Sequence, residues 1–216
     1  MLPSIIIRVF IIIIFFFFGY NMVYIIQQKR KAKSNSDPDH DTQLKYSNST
    51  VRVGKIGIMI INIFITLASL NIFFYDLFRL ILPHIRFFGF NAFFQITGLI
   101  FAIVGNFLLN ISYRTLGIYW EYPIDGKKKK RKLVKTDIYS KIRHPIYLSF
   151  YLICIGLFFI ILDILLLILL LIGGIGLYLQ ALEEEKTLYD AFGKEFLQYK
   201  NQTGRFFAIG KKKNRF

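Results

Sequence analysis

Tyr139, Arg143, His144 and Tyr147 fall within nine residues, just after a block of lysines and at the mouth of a long apolar run. Ionisable groups at a membrane entrance are costly, so they are functional candidates by default. A second cluster, Glu183-Glu184-Glu185, stands where the next apolar run ends. Pro145 suits the first position of a helix, where its missing N–H would be unpaired anyway. That start puts His144 at the cap, at the positive helix end, where an anionic group such as a carboxylate is favoured. Glu184 offers the opposite charge, suited to an amine or a sulfonium. The two clusters together suit a zwitterion held between two helix ends. They equally suit a purely structural arrangement, in which Arg143 and the glutamates pair across the mouth of a hairpin. The residues alone leave both open.

The elements that must carry these groups are membrane helices. The chain has 216 residues and is 55% hydrophobic, above the roughly 45–50% of soluble domains. The apolar residues are gathered in long runs, which predicts an all-α integral membrane protein. There is no room for a separate soluble catalytic domain, so any chemistry must come from helix ends and loops. The formal charge is +15, from 28 Lys+Arg against 13 Asp+Glu. Because the basic residues flank the apolar spans, they read as topology signals and contacts to anionic lipid, and a nucleic-acid partner is not expected. The lone cysteine, Cys154, lies inside an apolar run and supports neither a disulfide nor a metal site. P-loop, dinucleotide-binding and HExxH signatures are absent, and no metal is expected.

About five transmembrane helices are predicted. Ile5 to Ile26 is the first, followed by Lys29, Arg30, Lys31 and Lys33. A basic polar linker covers residues 27–55 and contains His40, which has no partner at metal-ligand spacing. Ile56 to Leu82 is the second span. Asp76 and Arg79 share a helix face near its end, as an interfacial ion pair or a snorkelling arginine. Ala92 to Ile111 is the third, with Gly98 and Gly105 on one face suited to close helix packing. Ser112 to Lys141 is the largest cytoplasmic stretch and carries six consecutive Lys/Arg residues, Lys127 to Lys132. Tyr147 to Leu182 is too long for one crossing and adequate for two short ones. Asp163, near its middle, is the natural turn of a helical hairpin, spans four and five. Beyond it Leu188, Phe192, Phe196 and Tyr199 recur at helical spacing, a cytoplasmic amphipathic helix whose apolar face can lie on the membrane or on the cytoplasmic loop. The positive-inside rule then places the N-terminus outside and the C-terminus in the cytoplasm, with the site facing the cytoplasm. Two regions result: residues 1–111 with helices one to three, and residues 112–216 with the polar clusters.

Three motifs in the second region resemble the isoprenylcysteine carboxyl methyltransferases and, more distantly, the membrane phospholipid methyltransferases. The first is Leu133-Val134, Tyr139 and Arg143-His144-Pro145-Ile146-Tyr147. The second runs from Glu184-Glu185 through Leu188, Phe192-Gly193 and Phe196 to Tyr199. The third is Arg114, Leu116-Gly117 and Tyr119-Trp120. The resemblance implies methyl transfer from S-adenosylmethionine to a lipid-linked or prenylated acceptor that enters from the bilayer. It implies cofactor contacts at Arg131, Lys132, Leu133, Val134, Tyr139, His144, Pro145, Ile146, Tyr147 and Glu184. On this reading Arg143, His144, Tyr147 and Glu184 form the catalytic group. The sequence departs from the family where Asp137 replaces a glycine, where Ser149 replaces another, and at Gln180, where the family often has an acceptor-binding arginine. Gln180 and Arg205 are the candidates for acceptor binding. A prenylcysteine-like or other isoprenoid carboxylate is the favoured acceptor. An ethanolamine headgroup, methylated on nitrogen, is the alternative, and a non-catalytic lipid-binding protein is the third reading.

Overall fold

The computed structural model describes residues 2–34, 42–44, 48–85, 87, 89–119, 129–131 and 133–208. The elements are α1 (Ser4–Ser34), β1 (Thr42–Leu44), α2 (Asn48–Ile81), α3 (Asn91–Leu116), β2 (Lys129–Arg131), α4 (Pro145–Ile161), α5 (Ile164–Phe192) and α6 (Lys194–Gln202). Two short 3₁₀ turns, Gly117–Tyr119 and Asp137–Ser140, lie between α3 and α4. The architecture is helical, with one small departure: β1 and β2 pair antiparallel, Gln43 opposite Lys130, tying the first linker to the basic loop. His40 and most of that loop lie outside the described residues.

Stretches of α1, α2, α3 and α5 are long and apolar enough to cross a membrane, and α4 is an apolar helix of 17 residues. Their outward faces are rich in exposed apolar side chains, among them Phe16, Phe73, Leu80, Phe107 and Ile175, as contact with lipid requires. The hairpin turn falls at Asp163. Leu162 takes a left-handed conformation (φ 60°), and the Asp163 carboxylate caps α5 by accepting from the Leu165 and Leu166 N–H groups. The α2–α3 turn meets it: Ile85 N–H donates to Leu162 O, and Ile164 N–H to Pro83 O. Both turns therefore share one end of the bundle, and the polar clusters share the other.

Three features add to or correct the sequence reading. The arms of the hairpin splay: α4 packs chiefly on α3, and α5 chiefly on α2. Glycines set both crossings. A Cβ on Gly98 would lie 2.6 Å from Gly156 O, and one on Gly176 would lie 3.2 Å from the Gly57 Cα. A side chain at Gly98 would force the two backbones apart, and one at Gly176 would be tight against α2. Asp76 pairs with Arg8 of α1 at 2.7 Å, not with Arg79. The third difference is at the C-terminal helix. Gly193 (φ 50°) ends α5 and starts α6, so the amphipathic stretch is two helices meeting at a bend. Its apolar residues pack on the loop: Leu188, Phe192, Phe196 and Tyr199 cluster with Leu133.

Polar side chains tie the bundle together inside. Asn21 of α1 donates to Asn106 O of α3 at 3.0 Å and accepts from Asn110 at 2.7 Å. Gln95 of α3 donates to Ile160 O of α4. Buried amides with partners fix helix register without the cost of an unpaired polar group.

Candidate active site

Because α4 leans on α3 and α5 on α2, a space opens between the arms at the end away from the Asp163 turn. It is a cavity of about 300 Å³, within the usual range for small-molecule sites. Its polar wall holds Tyr139, His144, Tyr147, Gln180 and Glu184. Its apolar wall comes from α1, α2, α4 and α5 and includes Phe18, Ile61, Ile65, Phe150 and Leu177.

On α5, Leu177, Gln180, Glu184 and Leu188 recur at three and four residues, so one helix face lines the cavity. Consecutive helical residues point about 100° apart. Glu184 and Glu185 therefore face different neighbours. Glu184 Oε1 accepts from the Tyr147 hydroxyl at 2.5 Å and from Gln180 Nε2 at 3.1 Å. Its Oε2 lies 3.6 Å from His144 Nδ1. Tyr147 lies in the first turn of α4, and its ring is parallel to the His144 imidazole, 5.4 Å between centroids. The donation from Gln180 fixes which way its amide faces, and leaves Oε1, buried, with no hydrogen-bond partner among the described residues. A Cβ on Gly54 of α2 would lie 2.5 Å from that oxygen, so the glycine makes room for it.

Glu185 faces a strap formed by residues 203–206. The strap runs beside the start of α4: Arg143 N–H donates to Gly204 O, His144 N–H to Arg205 O, and Gly204 N–H to Lys141 O. The Glu185 carboxylate, only 4% exposed, accepts from Arg143 Nε at 3.0 Å and from Arg205 Nε and Nη2 at 2.9 Å each. Lys200 Nζ is 3.8 Å away and His144 Nε2 is 3.4 Å away. Bonding to Glu185 holds the Arg205 guanidinium above its ordinary pKa, so it stays charged. Arg143 also donates through Nη1 to Lys200 O, Thr203 O and Thr203 Oγ1. Tyr199 of α6 donates its hydroxyl to Tyr139 O at 2.7 Å, and burial pushes that phenol up, which keeps it a donor.

The structure thus brings Leu133, Val134, Tyr139, His144, Ile146, Tyr147, Gln180 and Glu184 around one cavity. Arg143 reaches its edge but spends its hydrogen bonds on Glu185 and the strap. Pro145 opens α4 behind His144. Arg205 is held by Glu185, with its guanidinium over the Tyr178 ring, and does not line the cavity. The Arg131 side chain and Lys132 lie outside the described residues. The pairing of Arg143 with the acidic cluster, one of the two arrangements the residues left open, falls on Glu185; sequence reasoning missed that Arg205 shares the same carboxylate. It also missed Gly54 and Tyr113, lining residues that carry no local signal of their role.

Asp137 has a backbone reason for the glycine it replaces. Its φ is 47°, in the left-handed region, which glycine occupies freely and aspartate better than most residues. Its carbonyl accepts from Ser140 Oγ. Asp137→Gly is expected to keep thermal stability within about 1 kcal/mol. Asp137→Val should cost more than that, because a β-branched residue is a genuine outlier there. Melting both variants in detergent checks the order. The second departure, Ser149, is buried and bonds back to Pro145 O at 2.8 Å, filling a place in the first turn of α4.

Comparison with known proteins gives this arrangement a context. Residues 93–195 match the phospholipid methyltransferase family. A stretch of 111 residues is 32% identical to the protein-S-isoprenylcysteine O-methyltransferase of Saccharomyces cerevisiae, covering 50% of this chain and 46% of that relative. The chain thus spans less than half of the relative it matches. The family match covers both polar clusters, and Arg205 lies beyond it. The resemblance of the motifs to membrane methyltransferases therefore extends to the helices that carry them.

The residues fit a ligand with a cationic centre and hydrogen-bonding groups. Glu184 presents a carboxylate at the cavity wall. Gln180 Oε1 and His144 Nε2 are buried polar atoms without a hydrogen-bond partner among the described residues, and such atoms ordinarily find one.

Proposed function

We propose that this protein is an S-adenosylmethionine-dependent membrane methyltransferase that esterifies the carboxylate of a prenylcysteine-like or other isoprenoid acceptor, with the site open to the cytoplasm. The observation that carries the reading is the meeting of His144, Tyr147 and Glu184 on the polar wall of a cavity whose other wall is apolar. The similarity of residues 93–195 to the phospholipid methyltransferase family supports it. S-adenosylmethionine, when bound, supplies a methyl group already activated on a sulfonium. The residues that would hold it are Glu184, His144, Tyr147, Tyr139 and the Leu133-Val134 stretch.

Glu184 supplies the negative charge that a cationic ligand needs, and Tyr147 and Gln180 hold that carboxylate in place. The apolar wall of Phe18, Ile61, Ile65, Phe150 and Leu177 gives a lipid chain a dry surface to lie against. Bringing the acceptor oxygen into line with the methyl is the main contribution the protein makes, since orientation alone removes a large part of such a barrier. A carboxylate acceptor is already deprotonated at neutral pH, so no side chain has to act as a strong base. The basic residues flanking the spans support a site facing the cytoplasm, by the positive-inside rule.

The family matched by residues 93–195 favours a second reading, methylation of a phospholipid amine. One assay separates the two. Membranes containing the protein are given labelled methyl donor with a farnesylcysteine analogue and phosphatidylethanolamine side by side. Label in a base-labile ester is the expected result, and label only on the amine headgroup selects the second reading. No label in any lipid would reject both.

A further inference from the structure

The apolar side of the cavity has a floor, and there is space beneath it. A second void, of about 10 Å³, lies along the same helices nearer the Asp163 turn. On α4, Tyr147 and Phe150 line the cavity, and Phe150, Tyr151 and Cys154 line the void. These four recur at three and four residues, so one face of α4 runs past both spaces. On α5, Leu177 is shared, and Gly174, Gly173 and Leu170 follow below it. On α2, Ile61 is shared and Phe64 lies beyond. One residue from each helix, Ile61, Phe150 and Leu177, therefore separates the two spaces. Phe150 is the largest of the three, and it is braced: its ring meets that of Phe18 of α1 edge-on, centroids 6.1 Å apart. The void borders the two positions where α5 has no side chain. A Cβ on Gly174 would lie 3.2 Å from Tyr151 Cε1, and one on Gly173 3.2 Å from Ile60 Cγ2. Tyr151 bridges the splayed arms beside it, donating its hydroxyl to Gly174 O. Small apolar spaces stay dry, so hydrocarbon is what suits this one.

We infer that Phe150 sets the length of the acceptor's apolar chain: its ring stops the chain at the partition, and the void behind it is the space a longer chain would take if that ring were smaller. Along α5 the step from Glu184 to Leu177 is about 10 Å, and the step from Leu177 to Leu170 is about 10 Å more. The upper step holds the polar end of the acceptor and the start of its chain. The lower step lies past Phe150. The cavity of about 300 Å³ has to hold the methyl donor too, and that is the small end of the range for one ligand alone. The site therefore takes a geranyl or farnesyl chain in preference to a geranylgeranyl chain. The inference rests on the acceptor reading proposed above and adds to it the class of chain.

The test gives the full-length protein cysteine analogues carrying geranyl, farnesyl and geranylgeranyl chains. It reads methyl transfer to each, and binding of each as the shift it causes in thermal melting in detergent. The parent should use the geranyl or farnesyl analogue about tenfold better than the geranylgeranyl one, and Phe150→Ala should raise the geranylgeranyl-to-geranyl ratio of kcat/KM about tenfold. Phe150→Leu should move the ratio the same way by less, and it decides the matter if the alanine variant does not fold. Adding Cys154→Leu to Phe150→Ala refills the void from α4 and should return the ratio toward the parent. Phe18→Ala widens the cavity toward α1 without bordering the void, and should leave the ratio nearly unchanged. A flat chain-length profile in the parent means that the chain leaves the site sideways, and overturns the inference. So does an unmoved ratio in the Phe150 variants, a gain that Cys154→Leu does not reverse, or an equal gain in Phe18→Ala. If no analogue is methylated but the melting shifts follow the expected order, the acceptor reading fails and the role of Phe150 stands. If none is methylated and none shifts the parent, both fail.

Discussion

Replacing Glu184 with glutamine is expected to cut methyl transfer at least 30-fold, almost all of it through the donor. The substitution keeps the shape of the side chain and an oxygen for Tyr147 and Gln180, whose donations at 2.5 and 3.1 Å define the site. What disappears is the negative charge on the polar wall. Truncating one partner of a buried, hydrogen-bonded charge pair costs about 2–5 kcal/mol, which is roughly 30-fold or more in affinity. The loss should appear in the KM for S-adenosylmethionine and in the Kd for S-adenosylhomocysteine, with the KM for the acceptor little changed. Glu183→Gln is the control. Its carboxylate pairs with Lys186 on the surface at 2.6 Å, and exposed pairs contribute about 0–1 kcal/mol. Donor affinity equal in the parent and Glu184→Gln would remove Glu184 from the site and the cofactor assignment with it.

Much of this arrangement could be read from residue order because its causes are local. The apolar runs mark the helices by length alone. Asp163 marks the turn because a carboxylate is expensive at mid-bilayer and useful as a helix cap. Pro145 marks the start of α4, and the match to helix-end chemistry puts His144 at its cap. The family resemblance added Tyr147 and Glu184, which residue types alone could not have paired. What stayed hidden depends on which helices lie side by side. An apolar helix in lipid carries little information about its neighbour, so nothing local announced that α4 would lean on α3 and α5 on α2. The glycines gave half of the signal. Gly98 and Gly105 pointed to a close crossing, but Gly156 of α4, which faces Gly98, and the Gly57–Gly176 pair of α2 and α5 had no partner in the sequence until the fold supplied one. Charge pairing failed for the same reason. Asp76 lies three residues from Arg79 yet bonds Arg8, 68 residues away. Arg205 seemed suited to a substrate charge, and Glu185, 20 residues before it, takes its guanidinium instead. Asp137 was legible only as a departure; its left-handed φ explains why a glycine stands there in the family.

Arg143→Ala is the second large effect, and it should register as lost stability before lost chemistry. The Arg143 side chain has 8% of its surface exposed. It joins three segments: Glu185 on α5, the Lys200 carbonyl at the end of α6, and Thr203 at the start of the strap. Breaking a buried pair by removing one partner costs about 3–5 kcal/mol, because the other charge is left under-compensated. Here Arg205 still bonds Glu185 and Lys200 stands nearby, so the cost should fall toward the lower end. Lysine should not rescue it. A single ammonium cannot bridge a carboxylate and two carbonyls held at the angles of a planar fork. Thermal melting in detergent should therefore show Arg143→Ala and Arg143→Lys both destabilised, and Arg205→Gln less so, since its guanidinium is more exposed and bonds one carboxylate. Removing both arginines should cost less than the sum of the single losses if the shared carboxylate becomes protonated once neither cation remains. Per folded molecule, Arg143→Lys should keep most of its affinity for S-adenosylhomocysteine. The opposite pattern, an unchanged melting temperature with donor binding lost, would move Arg143 from the frame of the site into the site itself.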